Sequence, residues 1–93
     1  MVYIGNREYK YGRMIMSHMA ADTLEELHQM AKAIGVSKRH FQNLNGKPHY
    51  DICKQNKQKA MNLGAKEVDD REIINLFKSK YRSRTTGSKI NQT

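Results

Sequence analysis

Residues 14–35 read MIMSHMAADTLEELHQMAKAIG, and two periodicities meet within them. Met14 to Met19 alternates with period two, as a strand does, which places Met14, Met16 and His18 on one face. From Asp22 onward the interval changes. Leu24, Leu27, Ala31 and Ile34 recur at helical spacing, and Gly35 supplies the stop. Asp22 is expected to cap this helix, with Glu25 three residues on completing a capping-box-like pair.

The flanking sequence repeats the alternation of strand and helix. Val2-Tyr3-Ile4 is a short β-prone run, followed by a loop punctuated by Gly5-Asn6 and Tyr11-Gly12. Beyond Gly35, Ser37 caps a short helical turn over Lys38–Gln42. The stretch Asn43–Pro48 is a loop by turn chemistry, and His49–Ile52 a short strand. A second helix is expected from Lys54 to Leu63, ending at Gly64, with Cys53, Ala60 and Leu63 inward and Lys54 and Lys57 outward. Ala65–Val68 is a strand. Asp69 or Asp70 caps a third helix whose Ile73, Ile74, Phe77 and Tyr81 form an apolar stripe. Residues 83–93, SRTTGSKINQT, are polar and aperiodic, the composition of a mobile basic tail. The expected fold class is therefore α/β (α+β): a single small domain over residues 1–82, with about three helices around one small sheet.

A chain of 93 residues holds one core, and with 38% apolar residues, six Met and no Trp that core is modest and adaptable. No apolar run is long enough to span a bilayer, and MVYIGNREYKYGR lacks a signal-peptide pattern. The single Cys53 excludes an intramolecular disulfide and fits a reducing compartment, so the expected location is the cytoplasm, with no membrane partner. The net charge is +8, and residues 1–35 are charge-balanced, so the excess lies entirely in the remainder. After Glu72 there is no acid, whereas Lys78, Lys80, Arg82, Arg84 and Lys89 follow. That asymmetry points to a polyanionic partner, nucleic acid or nucleotide; the plain alternative is a solvated basic face.

The segment Pro48-His49-Tyr50-Asp51 concentrates the chemistry. If it is extended, His49 and Asp51 share a face while Tyr50 and Ile52 turn the other way. A histidine and a carboxylate so placed suit a base with its orienting partner, or two metal ligands. His18, on a neighbouring strand, would complete a two-His, one-carboxylate set. The alternative is a set of structural hydrogen bonds that shape the preceding loop. Arg39 and Lys38 on their polar turn suit phosphate, and Lys54 and Lys57, with Lys80, Arg82 and Arg84, extend a basic surface. Arg39 is expected at the rim of the His18–His49–Asp51 pocket. Tyr9 and Tyr11, among Arg7, Lys10 and Arg13, suit base stacking. Cys53 beside Lys54 near a helix start is a weak nucleophile candidate without a nearby base. There is no phosphate loop, dinucleotide fingerprint, zinc-spaced Cys/His cluster or nucleophile elbow.

Val2-Tyr3-Ile4, His18 followed by ADTLEEL at residues 21–27, Phe41-Gln42, HYD at residues 49–51 and Gly64-Ala65-Lys66-Glu67-Val68 together resemble a small prokaryotic and phage family, domain of unknown function 4031. The resemblance spans about residues 2–76. It implies that His18, Asp22, Arg39, His49 and Asp51 correspond to the family's polar pattern. Such sequences carry an acid just after the first strand, where this chain has Gly5-Asn6. If that acid is catalytic or metal-binding elsewhere, this chain is a binding-only variant.

Three functions fit these residues. The first is an accessory protein, phage-encoded by its composition, that binds nucleic acid or nucleotide phosphate. The second is a small metal-assisted hydrolase built on His18, His49 and Asp51. The third is a phage protein that engages and inhibits a host protein. The sequence leaves any cofactor, and whether catalysis occurs at all, open.

Overall fold

A computed structural model describes residues 1–82. In chain order the elements are β1 (Val2–Gly5), β2 (Tyr9–Tyr11), β3 (Met14–Ala21), α1 (Leu24–Ala33), β4 (Gln42–Leu44), β5 (Lys47–Cys53), α2 (Lys54–Asn62), β6 (Lys66–Val68) and α3 (Asp70–Phe77). A 3₁₀ turn spans Lys38–His40, and a π-helical turn, Lys78–Arg82, continues α3. This is a small α+β domain with three helices and a mixed sheet, in the order β4-β5-β3-β1-β6, with β2 also paired to β3. Among the described strands only β1 and β6 pair in parallel. The expected tail, 83–93, lies outside the described residues, as does Arg84. Among the described residues no helix is long and apolar enough to cross a membrane.

The long strand β3 organises the sheet. Its residues 19–21 pair with β1, residues 16–19 with β5, and residues 14–16 with β2. Alternation then assigns faces. Val2, Ile4, Met19, Ala21, Tyr50 and Ile52 pack beneath α1 and α2 with Leu27, Ala31, Ile34 and Ala60. The opposite face is only part-covered: Ile73, Phe77 and Tyr81 of α3 and its continuation bury Ala20 and Val68. The Tyr81 hydroxyl donates to the Ala21 carbonyl at 2.7 Å, which ties this layer to the sheet. The rest of that face, where β3 and β5 run side by side, carries polar residues.

Several expectations need correction. The cap of α1 is Thr23, whose Oγ1 accepts from the Glu26 amide at 3.2 Å. Asp22 cannot serve because its own amide still extends the sheet, donating to the Met1 carbonyl at 3.2 Å. Its carboxylate instead accepts from the Tyr3 hydroxyl at 3.1 Å. The supposed loop 6–13 contains β2, which forms a hairpin with β3. The supposed loop 43–48 is a second hairpin, closed by Asn45 and Gly46, with φ of 57° and 70°. Positive φ at both central residues is the Asn-Gly type I′ turn, whose twist matches that of the strands. In α2, Ala60 is buried but Leu63 is 57% exposed, because it follows the last helical residue and Met61 packs against the core instead. Ile74 is 49% exposed; the stripe that faces the sheet is Ile73, Phe77 and Tyr81. The cap of α3, by contrast, is one of the two expected residues, Asp69, in a capping box with Glu72.

Candidate functional site

Strand β5 sets the site by its pleat. Pro48, Tyr50 and Ile52 are buried on one face, while His49, Asp51 and Cys53 are half-buried on the other. Antiparallel register places His18 of β3 directly opposite Asp51, and directly opposed residues bring their side chains within reach. His18 Nδ1–H donates to Asp51 Oδ1 at 2.7 Å, and His49 Nε2 lies 3.5 Å from the same oxygen. The two imidazoles meet edge to face, with centroids 5.3 Å apart. One ligand atom from each of His18, His49 and Asp51 lies within 4.8 Å of the other two. Period-two alternation alone supplies the His49–Asp51 pairing; the sheet register adds His18.

The nitrogens are not equivalent. The Lys47 carbonyl lies 2.6 Å from His49 Nδ1 and can only accept, so Nδ1 carries the proton there. In the neutral ring Nε2 then presents a lone pair toward Asp51 Oδ1. Two acceptors face each other across 3.5 Å, an arrangement that a cation or a second proton satisfies. A histidine that donates one N–H to a backbone carbonyl while its other nitrogen faces a carboxylate is arranged as metal-ligating histidines are. The edge of a coordination tetrahedron with bonds of about 2.1 Å is about 3.4 Å, and the His49–Asp51 spacing is close to it.

Surrounding groups hold Asp51 ionised. Burial by itself would raise its pKa, but hydrogen bonds from His18 and Tyr9 outweigh that and leave it below the ordinary carboxylate value. Its other oxygen, Oδ2, accepts from Gln42 Nε2 at 2.9 Å. His18 is correspondingly raised, first by its bond to Asp51, against an opposing contribution from burial. The Tyr9 hydroxyl is pushed up to about 12, by burial and then by its bond to Asp51. Its ring lies over His18 at 5.3 Å.

A second carboxylate enters from α3. Arg7, His18, Lys47, His49, Asp70 and Phe77 line one cavity of about 260 Å³. Asp70 Oδ1 accepts from the Arg7 amide at 3.1 Å. It reaches that position by crossing Gly5, where an added Cβ would fall 2.0 Å from Asp70 Oδ1. Glycine is needed there for close approach. The family resemblance implies an acid just after the first strand, and in this chain the carboxylate over that position belongs to Asp70.

The other expected residues do not gather here. Lys38 and Arg39 are exposed on the 3₁₀ turn; Arg39 is not at the rim of the cavity, where Arg7 and Lys47 stand instead. Lys54 is exposed at the start of α2 and Lys80 beyond α3. Lys57 does not face away: it is half-buried and bound to Glu67 at 2.7 Å and Glu8 at 3.6 Å. The Arg82 side chain, like Arg84, lies outside the described residues. Tyr9 is committed to His18 and Asp51, while Tyr11 is 71% exposed.

Arg7, Gln42, Lys47 and Asp70 were not among the expected pocket residues. One signal was present for Gln42: a two-residue Asn45-Gly46 turn fixes the pairs Leu44↔Lys47, Asn43↔Pro48 and Gln42↔His49. Asp70 carries no comparable signal, since its approach depends on how α3 docks.

The family model described as Protein of unknown function (DUF4031) matches residues 2–80. The chain belongs to this family. No curated protein and no solved structure matches it. Membership bears out the resemblance to the family, while the chemistry rests on the geometry of His18, His49 and Asp51.

Proposed function

We propose that the protein is a small metal-assisted hydrolase acting on phosphate esters, with His18, His49 and Asp51 holding a divalent transition metal. The observation that carries this reading is the convergence of those three side chains, with His49 Nε2 turned toward Asp51 by the Lys47 carbonyl. Two imidazoles and one carboxylate suit zinc, manganese or iron(II) and leave coordination positions for water and substrate. Bound there, such a metal would lower the pKa of a water and polarise a phosphoryl oxygen. Arg7 and Lys47, in the same cavity, attract the anionic substrate. The Asp70 carboxylate, poised over Gly5, takes the proton from the attacking water. A new bond forms from water oxygen to phosphorus, the P–O ester bond breaks, and solvent protonates the departing alkoxide. The products are an alcohol and a phosphate.

Binding of an extended nucleic acid through the basic surface has weaker support. Lys57 is neutralised by Glu67 and Glu8, and the cations nearest the histidine cluster are not those of the 3₁₀ turn. The deciding experiment is hydrolysis of p-nitrophenyl phosphate and its bis ester by chelator-stripped protein before and after adding zinc or manganese. Turnover that appears with metal and falls at least a hundredfold in His49→Ala is expected. Equal, metal-independent background in both proteins would remove the hydrolase reading.

A further inference from the structure

The cavity at the histidine cluster does not end there. A second cavity of about 260 Å³ is lined by Asn45, Gly46, Lys47, Ile74, Phe77 and Lys78. Lys47, Ile74 and Phe77 line both, so the two adjoin across these side chains, in the groove between the Asn45–Gly46 hairpin turn and α3. Pockets for small organic ligands hold about 300–1,000 Å³. Each cavity comes close to the lower end of that range.

The groove is chemically graded. Its inner end holds the histidines with Arg7 and Asp70, and its waist is lined by Lys47, Ile74 and Phe77. Its outer end has Lys78 and Asn45, whose side-chain amide both donates and accepts. Ile74 is half-exposed although its neighbours Ile73 and Phe77 are buried, so an apolar surface is offered to solvent among cations. An anionic group at one end, a flat apolar middle and a polar edge at the other are the demands of a nucleotide: phosphate, base face and base edge. A bare sugar phosphate would leave Ile74 uncovered, and an apolar ligand would make no use of the Arg7 and Lys47 charges.

We infer that this groove binds a nucleoside monophosphate, with phosphate between Arg7 and Lys47 and the base laid against Ile74 and Phe77. The inference rests on the proposed hydrolase only in placing phosphate at the histidine cluster; base recognition is independent of any metal.

The test is titration calorimetry of AMP, ribose 5-phosphate and inorganic phosphate against the full chain at low salt, in EDTA and again with manganese. AMP is expected to bind at least tenfold more tightly than ribose 5-phosphate in both buffers. Ile74→Ala, at a half-exposed position whose loss leaves the fold intact by circular dichroism, is expected to erase that preference while ribose 5-phosphate affinity changes less than threefold. Equal affinity for AMP and ribose 5-phosphate, or no binding of either, overturns the inference, as does a preference that survives Ile74→Ala. Manganese binding without base discrimination leaves the metal site standing and removes the nucleotide. Base discrimination in EDTA from a protein that binds no metal supports the groove and removes the hydrolase.

Discussion

Tyr50 and Asp51 are adjacent on β5, yet they serve opposite faces of the sheet, and each meets a histidine. Tyr50 is fully buried under α1; its hydroxyl shares a hydrogen bond of 2.8 Å with His28 Nδ1, and Phe41 packs edge-on to the same imidazole at 4.7 Å. Burial, then the charge of Lys38, pushes His28 below its ordinary pKa. On the other face Asp51 holds His18 above it. One residue type, partnered by adjacent residues of a single strand, is driven toward neutrality in one place and toward charge in the other. Partner chemistry decides: a phenol supplies no charge to offset desolvation, whereas a carboxylate does. The closed face uses histidine as packing with a polar edge, and the open face pairs it with a carboxylate.

This contrast can be broken first through stability. Tyr50→Ala removes a buried aromatic from the closed face and should cost about 3–5 kcal/mol. Asp51→Ala removes charged hydrogen bonds at a half-buried site and should cost about 1–2 kcal/mol. Urea unfolding of both variants checks the order, and a larger loss for Asp51→Ala would reverse the assignment of faces. Next comes the approach of α3 to the open face. Gly5→Ala pushes a methyl group into the Asp70 carboxylate and should cost about 1–3 kcal/mol. Asp70→Ala should relieve most of that in the double variant. Additive losses would mean that the two residues do not touch. Thr23→Ala removes the cap of α1 on the closed face and should cost about 1 kcal/mol, read as a shift in denaturation midpoint.

The smallest effect is the most specific. In metal-free protein, the raised pKa of His18 contributes stability that is fully present below its ordinary value of 6.5 and is lost as pH rises through the folded value. The lowered pKa of His28 works the other way: stability falls as pH drops below 6.5 toward its folded value. The loss caused by His18→Gln should therefore be largest near pH 5 and shrink toward pH 9. That caused by His28→Gln should be larger at pH 8 than at pH 5. Parallel pH profiles for the two variants would show that the faces do not differ electrostatically.

Legibility in the sequence followed the range of the interactions. The α1 stripe, the β3 alternation and the shared face of His49 and Asp51 are local periodicities, and they emerged at once. The cap at Thr23 was missed by one residue because the strand ladder, a non-local pairing, absorbs Asp22. Both hairpins read as loops by composition, although Asn45-Gly46 is a strong turn signal flanked by strand residues. The opposition of His18 to Asp51, which brings the cluster together, depends on the register between two strands separated by α1. Arg7 and Asp70 belong to the cavity only because α3 docks across Gly5. The pairing of His28 with Tyr50 likewise depends on how α1 docks on β5.

Calorimetric titration of zinc and manganese into chelator-stripped wild-type protein, His49→Ala and His28→Ala compares the two faces directly. Wild type and His28→Ala should bind one metal per chain with affinities within threefold of each other. His49→Ala should lose at least a hundredfold. No saturable metal binding by the wild type, or equal binding by His49→Ala, would contradict a metal centre at His18, His49 and Asp51.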